Sequence, residues 1–549
     1  MASEKNTHGD LAVKRRHDLD ALRAIAMLLG IVLHAALSFS PVPWTVKDTQ
    51  QGDFYLVLFG AIHGFRMPLF FMVSGFFTAM LWRKRGLGSL IAQRAKRILL
   101  PLIIGCLTIV PAMWAVSSWV SQTPESSEGL NYFEAVAAGD VQTVRDAIES
   151  EAIAIDALDP ASGASLLTVA TFCGQPDVLE MLLENGADAN QKNGDSATPL
   201  HVAVFMGRVE SARRLLEAGA NPETKDDSGK TPKDNLKVDF GTTNFIAQMY
   251  GQTLEEESLK ASRGEIAKLL GMDPTSARED LSAGPNAEAL YGLLFQLPVF
   301  MHLWFLAFLC WLVLAFVGYA FLAKAVNLKR IPKWLFCSPL SLLWLVPLTM
   351  IPQHFMTPSV FGPDSSVGLL PIPSILGYYA IFFFFGAVYW DLDDEQGLLG
   401  QWWCVSLPLA LLVVLPIGLE IVWGTFGFLS QDLLGSMKPL LGNFLQALFA
   451  WLMVLGSIGM FRDLLSRENR TMRYISDSSY WLYLAHLPLV ILAQWFVKDL
   501  PIPAMVKFVG IIVVISAFLL LTYEYLIRYT LIGSMLNGPK SRKPPGSPV

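Results

Sequence analysis

Cysteine is scarce in this chain. Five occur among 549 residues, at Cys106, Cys173, Cys310, Cys337 and Cys404, and no two form a CxxC pair. Such spacing leads us to expect neither a disulfide framework nor a metal site. Charge is short as well: 16% of residues are Asp, Glu, Lys or Arg, with a formal net charge of −6. No basic stripe with interleaved aromatics is present, so nucleic acid is not an expected partner. The charge that exists is unevenly placed. Acidic residues gather between Ser121 and Glu288, while Lys and Arg cluster beside the apolar stretches.

What fills the chain instead is apolar: 53% hydrophobic residues, including 15 Trp and 34 Phe. That composition belongs to a membrane protein carrying a soluble part. Leu22 to Ser40 is almost wholly apolar, long enough to cross a bilayer core of ~30 Å. The basic run Lys14-Arg15-Arg16 precedes it. The stretch is nevertheless too long for a cleaved signal peptide, and it contains Arg23 and His34. Those two are eleven residues apart. Eleven helical steps return to nearly the same face and rise roughly 16 Å. Ionisable side chains at that depth are costly unless they face a wet cavity or a partner. A histidine that merely hydrogen-bonds a neighbouring helix is the plainer reading of His34.

Further apolar segments fall at about 54–82 and 98–120, then at 298–323, 334–352, 373–390, 403–423, 439–461, 476–497 and 504–528. The expected fold is therefore all-α, a polytopic membrane bundle of about ten helices. Residues 1–120 form its first part, 121–288 an insert, 289–530 its second part, and 531–549 a disordered tail. Basic clusters at 14–16, 83–97, 324–333, 462–473 and 540–543 alternate along the chain. They place those ends, and both termini, in the cytoplasm. The insert follows three spans, so it is expected outside the cytoplasm.

The insert repeats itself. SLLTVA from Ser165 and TPLHVA from Thr198 are 33 residues apart, and Thr231-Pro232 follows after 33 more. LEMLLENGADAN from Leu179 aligns with ARRLLEAGANPE from Ala212 at the same offset. This period and the T-P-L-H-x-A core resemble ankyrin repeats. A diverged first unit runs from Phe133 to Ser150, and SRGEIAKLL, from Ser262 to Leu270, reads as a last one. His201 is expected to be structural. Repeat stacks bind proteins, so a protein partner is expected on this one.

Polar residues in the spans fall into two groups. His34, His63 and His302 lie toward the outer half, with Arg66 one turn from His63 on the same face and Glu420 near the outer end of its span. Arg23, Arg94 and Arg97 lie toward the cytoplasm. Arg94 and Arg97 are three apart and can share a face, and arginine forks suit phosphates.

LDALRAIAMLLGIVLH with Arg23–x10–His34, IHGFRMPLFFMVSGFF, Arg94-x-x-Arg97, HLWFL at His302 and SYWLYLAH ending at His486 together resemble the acyltransferase-3 family of bacterial membrane proteins. The first two segments are especially similar to a glucan-biosynthesis branch of that family. The resemblance covers about 16–120 and 290–530; the ankyrin insert departs from it. It implies O-acylation of a glycan, with an acyl donor from the cytoplasm, commonly acyl-CoA, and no resident cofactor. On this reading Arg23, Arg94 and Arg97 hold donor phosphates. His34 acts as general base on an acceptor hydroxyl or carries the acyl group briefly. His63 and Arg66 orient His34 or stabilise the oxyanion, with Asp20, His302, Glu420 and His486 as further cavity residues. The expected setting is the inner (plasma) membrane, among its lipids. The competing reading is a transporter or flippase using the intramembrane His and Arg as a path. No symmetry between halves supports it. A scaffold anchored by the spans is the third reading, although ten polar-studded spans exceed an anchor's needs.

Overall fold

The computed structural model describes residues 16–42, 44–122, 132–159, 163–194, 196–227, 229–238, 240–249, 252–274, 291–325, 332–356, 361–429, 435–538 and 540. Among them there are helices and no strands; the one β-type pairing is an isolated bridge, Leu158 with Ser165. The chain divides into two compact units, Met1–Thr123 with Leu297–Val549, and Pro124–Gln296.

The first unit is built of long apolar helices. Eight segments among the described residues are long and apolar enough to cross a membrane: His17–Leu37, Asp53–Val120, Met301–Leu322, Pro373–Leu392, Trp403–Trp423, Lys438–Leu465, Arg470–Val497 and Ala504–Ile527, with the shorter Pro339–Gln353 besides. Asp53–Val120 is 68 residues long, which as one straight helix would reach ~100 Å, over three times a ~30 Å core. It does not run straight. Gly86 has φ 78° and ψ 170°, a backbone that residues with a Cβ rarely adopt. Beyond it the chain returns, and Arg94 Nη2 donates to Thr78 Oγ1 at 2.8 Å.

Neighbouring helices take defined directions. His17–Leu37 runs parallel to Arg470–Val497, because Arg23 meets Ser476 and His34 meets His486. The first arm of Asp53–Arg94 runs parallel to Met301–Leu322, with Phe71 on Phe305 and Trp82 on Phe316. It is parallel also to Pro373–Leu392, with Phe71 on Tyr379 and Arg83 paired to Asp391. There the backbones touch: a Cβ on Gly75 would lie 1.8 Å from the Phe383 carbonyl oxygen, and one on Gly386 would lie 1.9 Å from that of Met72. Small residues permit such close approach in membrane bundles.

The expected disordered tail differs. Leu531–Asn537 is a helix with Gly533, Met535 and Leu536 buried, and Asn537 and Lys540 bond Asp477. Leu531 and Ile532 with Met535 and Leu536 give it the helical spacing, in a piece too short to stand out by sequence. Residues 541–549 lie outside the described residues. So do 326–331 in a basic loop and the boundary placed at 288.

The second unit stacks helix pairs. Tyr132–Ala138 with Val141–Glu149, Leu166–Cys173 with Pro176–Glu184, and Pro199–Met206 with Val209–Glu217 follow one another. Leu166, Leu179, Leu182, Leu200, Val204 and Leu215 from successive pairs form one buried core. No single pair covers its own apolar face, so neighbours supply it. Ser262–Leu270 falls at the end of the Glu256–Leu269 helix, whose Ile266 and Ala267 join the core. His201 is structural: Nδ1 accepts from the Thr198 N–H at 3.0 Å, and Nε2 donates to the Lys230 carbonyl at 3.1 Å. In the next unit Asp234 takes that place, accepting from the Thr231 N–H at 2.7 Å and from its hydroxyl at 2.8 Å. Thr231-Pro232 opens a 3-10 turn, Pro232–Lys237, and not an α-helix. Only Pro232 and Leu236 of that polar run are buried.

The Thr231 backbone N–H and then its hydroxyl hold the Asp234 carboxyl below its usual range. A carboxyl depressed in the folded state adds stability that is complete above the unfolded value, about 3.9, and is lost as pH falls through the folded one. Amide protection across Pro232–Lys237 in the full chain, corrected for intrinsic exchange, should therefore weaken in acid. Asp234→Asn should flatten that dependence; the same steepness in the variant would mean that the carboxylate does not hold the turn.

Candidate active site

One polar cluster inside the bundle begins on the first helix. His34 Nδ1 lies 2.8 Å from the carbonyl oxygen of Gly30, one turn back. It is also 3.0 Å from Nε2 of His486. His486 is buried, and its Nδ1 faces the carbonyls of Leu482 at 3.1 Å and Tyr483 at 2.9 Å. The His302 ring stands perpendicular to that of His486, 5.8 Å away. Its Nε2 donates to the Leu484 carbonyl at 3.1 Å, and the Tyr483 hydroxyl donates to the His302 carbonyl at 2.7 Å. His34, His302 and His486 are thus linked.

His63 and Arg66 complete the cluster from the second helix. His63 stacks on Phe59, ring centres 5.0 Å apart, and bonds the Pro363 backbone. Arg66 lies within electrostatic range of His34, His63 and His486 and of the Tyr379 and Tyr483 hydroxyls. Its polar contact is a weak one, Nη2 to Met67 Sδ at 3.7 Å. Among the described residues no carboxylate lies within ion-pair distance of it. Three buried polar atoms here have no hydrogen-bond partner among the described residues: His63 Nε2, Arg66 Nε and His302 Nδ1. Leaving such groups unpaired costs about 1–3 kcal/mol each, a cost that a hydroxyl-bearing substrate would relieve.

Three residues of this site were not read from the sequence. The Trp44 ring stacks over His34 at 5.9 Å. Trp44 Nε1 donates to Gln494 Oε1 at 2.9 Å, and Gln494 Nε2 donates to the His34 carbonyl at 2.8 Å. Tyr483 is the third. A lone amide inside an apolar span was the available signal for Gln494. Glu420, by contrast, is spent on local structure. Its carboxylate accepts from the N–H groups of Phe426 at 2.7 Å, Gly427 at 3.0 Å and Leu429 at 2.9 Å, closing the loop after its helix.

A second cluster lies at the start of the same helix pair. Arg23 Nη2 donates to Ser476 Oγ at 2.9 Å, and Asp20 is 3.8 Å from it. Arg94 lies in electrostatic range of both Arg23 and Arg97. Arg94 ends its α-helix, and Arg97 sits in the π-helical turn Ala95–Leu99, a widened turn of the kind found at functional sites. The Tyr480 hydroxyl donates to the Arg97 carbonyl at 2.9 Å. Among the described residues neither Arg94 nor Arg97 has a carboxylate in ion-pair distance. Three cations gathered this way suit a polyanion. Asp20 also lines a small cleft with His17, Arg467, Asn469 and Arg473.

The apolar helix bundle thus gathers imidazoles toward one end of a helix pair and guanidiniums toward the other, the arrangement of a multi-pass membrane protein with a polar interior. The chain belongs to the acyltransferase-3 family: the model described as an acyltransferase domain matches residues 16–135 and 261–523, more than half of the chain. Ankyrin repeats, three copies, match residues 132–226. The chain is 33% identical over 122 residues to "Glucans biosynthesis protein C" of Escherichia coli (strain SMS-3-5 / SECEC), covering 22% of this chain and 31% of that protein. It is 32% identical over the same length to the proteins of that name from Escherichia coli (strain K12) and Shigella dysenteriae serotype 1 (strain Sd197), with the same shares. The aligned stretch spans about a third of the length of these curated relatives.

Gly30 offers a test of the cluster. A Cβ there would lie 2.1 Å from Arg66 Nη1. Only the far end of a flexible side chain must give way, so the bundle should tolerate it. Gly30→Ala should keep the melting temperature and membrane insertion of the parent while acyl transfer falls. Unchanged transfer would remove Arg66 from the site.

Proposed function

We propose that the chain moves an acyl group from a cytoplasmic acyl-CoA to a hydroxyl of an extracytoplasmic glycan. The observation that carries this reading is the two-ended helix pair: Arg23 meets Ser476 at one end, and His34 meets His486 at the other. Arg23 and His34 are separated by roughly 16 Å along the helix, a distance suited to an extended pantetheine arm. Arg23, Arg94 and Arg97 hold the phosphates of the donor. His34 Nε2 accepts the proton of the acceptor hydroxyl, and Arg66 receives the charge that develops on the carbonyl oxygen. The unpaired nitrogens of His63 and His302 accept hydrogen bonds from further hydroxyl groups, which a sugar supplies. The names of the relatives favour a glucan as the class of acceptor. The protein partner of the repeats is part of the same reading.

The site sits in the plasma membrane, with both termini cytoplasmic and the repeats outside. Helix directions support ten crossings. Met301–Leu322 and Pro373–Leu392 are both parallel to the arm beginning at Asp53, so an odd number of crossings separates them. Pro339–Gln353 is the apolar helix that lies between.

Two measurements test this together. In membranes holding the full chain, radiolabel from acyl-CoA should appear on glucan oligosaccharide. His34→Ala should lower turnover by ~10²-fold or more, while Arg23→Ala and Arg97→Ala should chiefly raise the apparent Michaelis constant for the donor. Glycan export without covalent change would favour the transporter. A cysteine replacing exposed Lys192 in an otherwise cysteine-free chain should react with an impermeant reagent on intact cells; reaction only after lysis would put the repeats inside.

A further inference from the structure

We propose that His486 is a positioning residue that fixes the proton on His34 and shares the charge His34 acquires during transfer; this rests on His34 being the base. A carbonyl oxygen only accepts hydrogen bonds, so each imidazole nitrogen facing one must carry the hydrogen. His486 Nδ1 faces two carbonyls, those of Leu482 and Tyr483. Its Nε2 is then a bare lone pair. That lone pair lies 3.0 Å from His34 Nδ1, which also faces the Gly30 carbonyl at 2.8 Å. His34 Nδ1–H therefore donates to both, and the lone pair of His34 is left on Nε2, which has no hydrogen-bond partner among the described residues. The opposite tautomer of His34 would set its Nδ1 lone pair against a carbonyl oxygen and a second lone pair at once.

The groups facing the dyad are Arg66, His302, Tyr483 and Trp44. None displaces this arrangement. His302 has its own hydrogen on Nε2, toward the Leu484 carbonyl, so it offers the dyad no competing N–H. In the transfer step the acceptor hydroxyl proton moves to His34 Nε2, the acceptor oxygen bonds the acyl carbon, and the carbon–sulfur bond of the thioester breaks. The proton then passes from His34 Nε2 to the leaving thiolate. While His34 is charged, its Nδ1–H bond to His486 becomes charge-assisted and stronger. His486 neither gains nor loses a proton overall. A histidine that only satisfied its own helix would be indifferent to what its Nε2 faces.

The test uses the full chain in membranes, with acetyl-CoA and glucan oligosaccharide as probes. His486→Leu removes the lone pair; His486→Gln restores an acceptor oxygen near the same place. Turnover by His486→Leu should fall ~10²-fold or more, with the donor Michaelis constant little changed. His486→Gln should stay within about tenfold of the parent, and added imidazole should partly rescue the leucine variant. Solid-state ¹⁵N spectra should show the His34 hydrogen on Nδ1, the signal being assigned by its loss in His34→Asn. Parental turnover by His486→Leu, or a glutamine variant as inactive as the leucine one while both insert and melt normally, overturns the proposal. A parent spectrum with the hydrogen on Nε2 overturns it even if both variants misfold. No transfer by the parent itself, from any acyl-CoA to any glycan, sinks the functional reading and this proposal with it.

Discussion

A polar group inside an apolar bundle must find its partner within the protein. One pair of parallel helices meets that constraint three times. Arg23 bonds Ser476, His34 bonds His486, and Gln494 bonds the carbonyl of His34. Three links along one seam fix the register and rotation of His17–Leu37 against Arg470–Val497. With both fixed, the histidines and the arginines fall at opposite ends of the same pair. The second helix then adds His63 and Arg66 to one end and, after its bend at Gly86, Arg94 to the other.

The loop after the first helix is held with equal firmness. Lys507 Nζ lies 2.8 Å from Asp48 Oδ2, with the two side chains 0% and 1% exposed. The Asp48 N–H donates to the Ser38 carbonyl at 3.0 Å. Removing one partner of such a buried pair costs about 3–5 kcal/mol, because the other charge is stranded. Trp44 belongs to the same loop. The pair thereby fastens the stretch that carries an aromatic ring over His34, although among the described residues neither of its members bonds the imidazole cluster.

Much of this was legible in the sequence, for reasons that differ by element. Arg23 and His34 stood out because an ionisable residue in an apolar run is costly, and their spacing set a shared face. The repeats stood out by period, and Thr198 with His201 carried its own hydrogen-bonding logic. Partners across the bundle were another matter. His486 lies 452 residues from His34, and no local pattern announces that they meet. Trp44 sits in a short polar turn where an aromatic residue has no periodicity to betray its role. Glu420 was visible as a carboxylate in a span, but its use depends on three amides of a loop whose shape is not written in residue types. The turn at Thr231 kept the repeat's cap while losing its helix, because a cap is set by two residues and a helix by its buried face.

The contact at Gly75 and Gly386 has a mechanical consequence. With each glycine pressed on the other strand of backbone, the two helices have no cushion of side chains through which to slide. They act as a single stiff plate bearing Arg66 and His63 on one edge. Sliding between these two helices would need a cushion of side chains, and this seam has none. Whatever flexes in the bundle flexes around that plate, and His63 and Arg66 move with it as one piece.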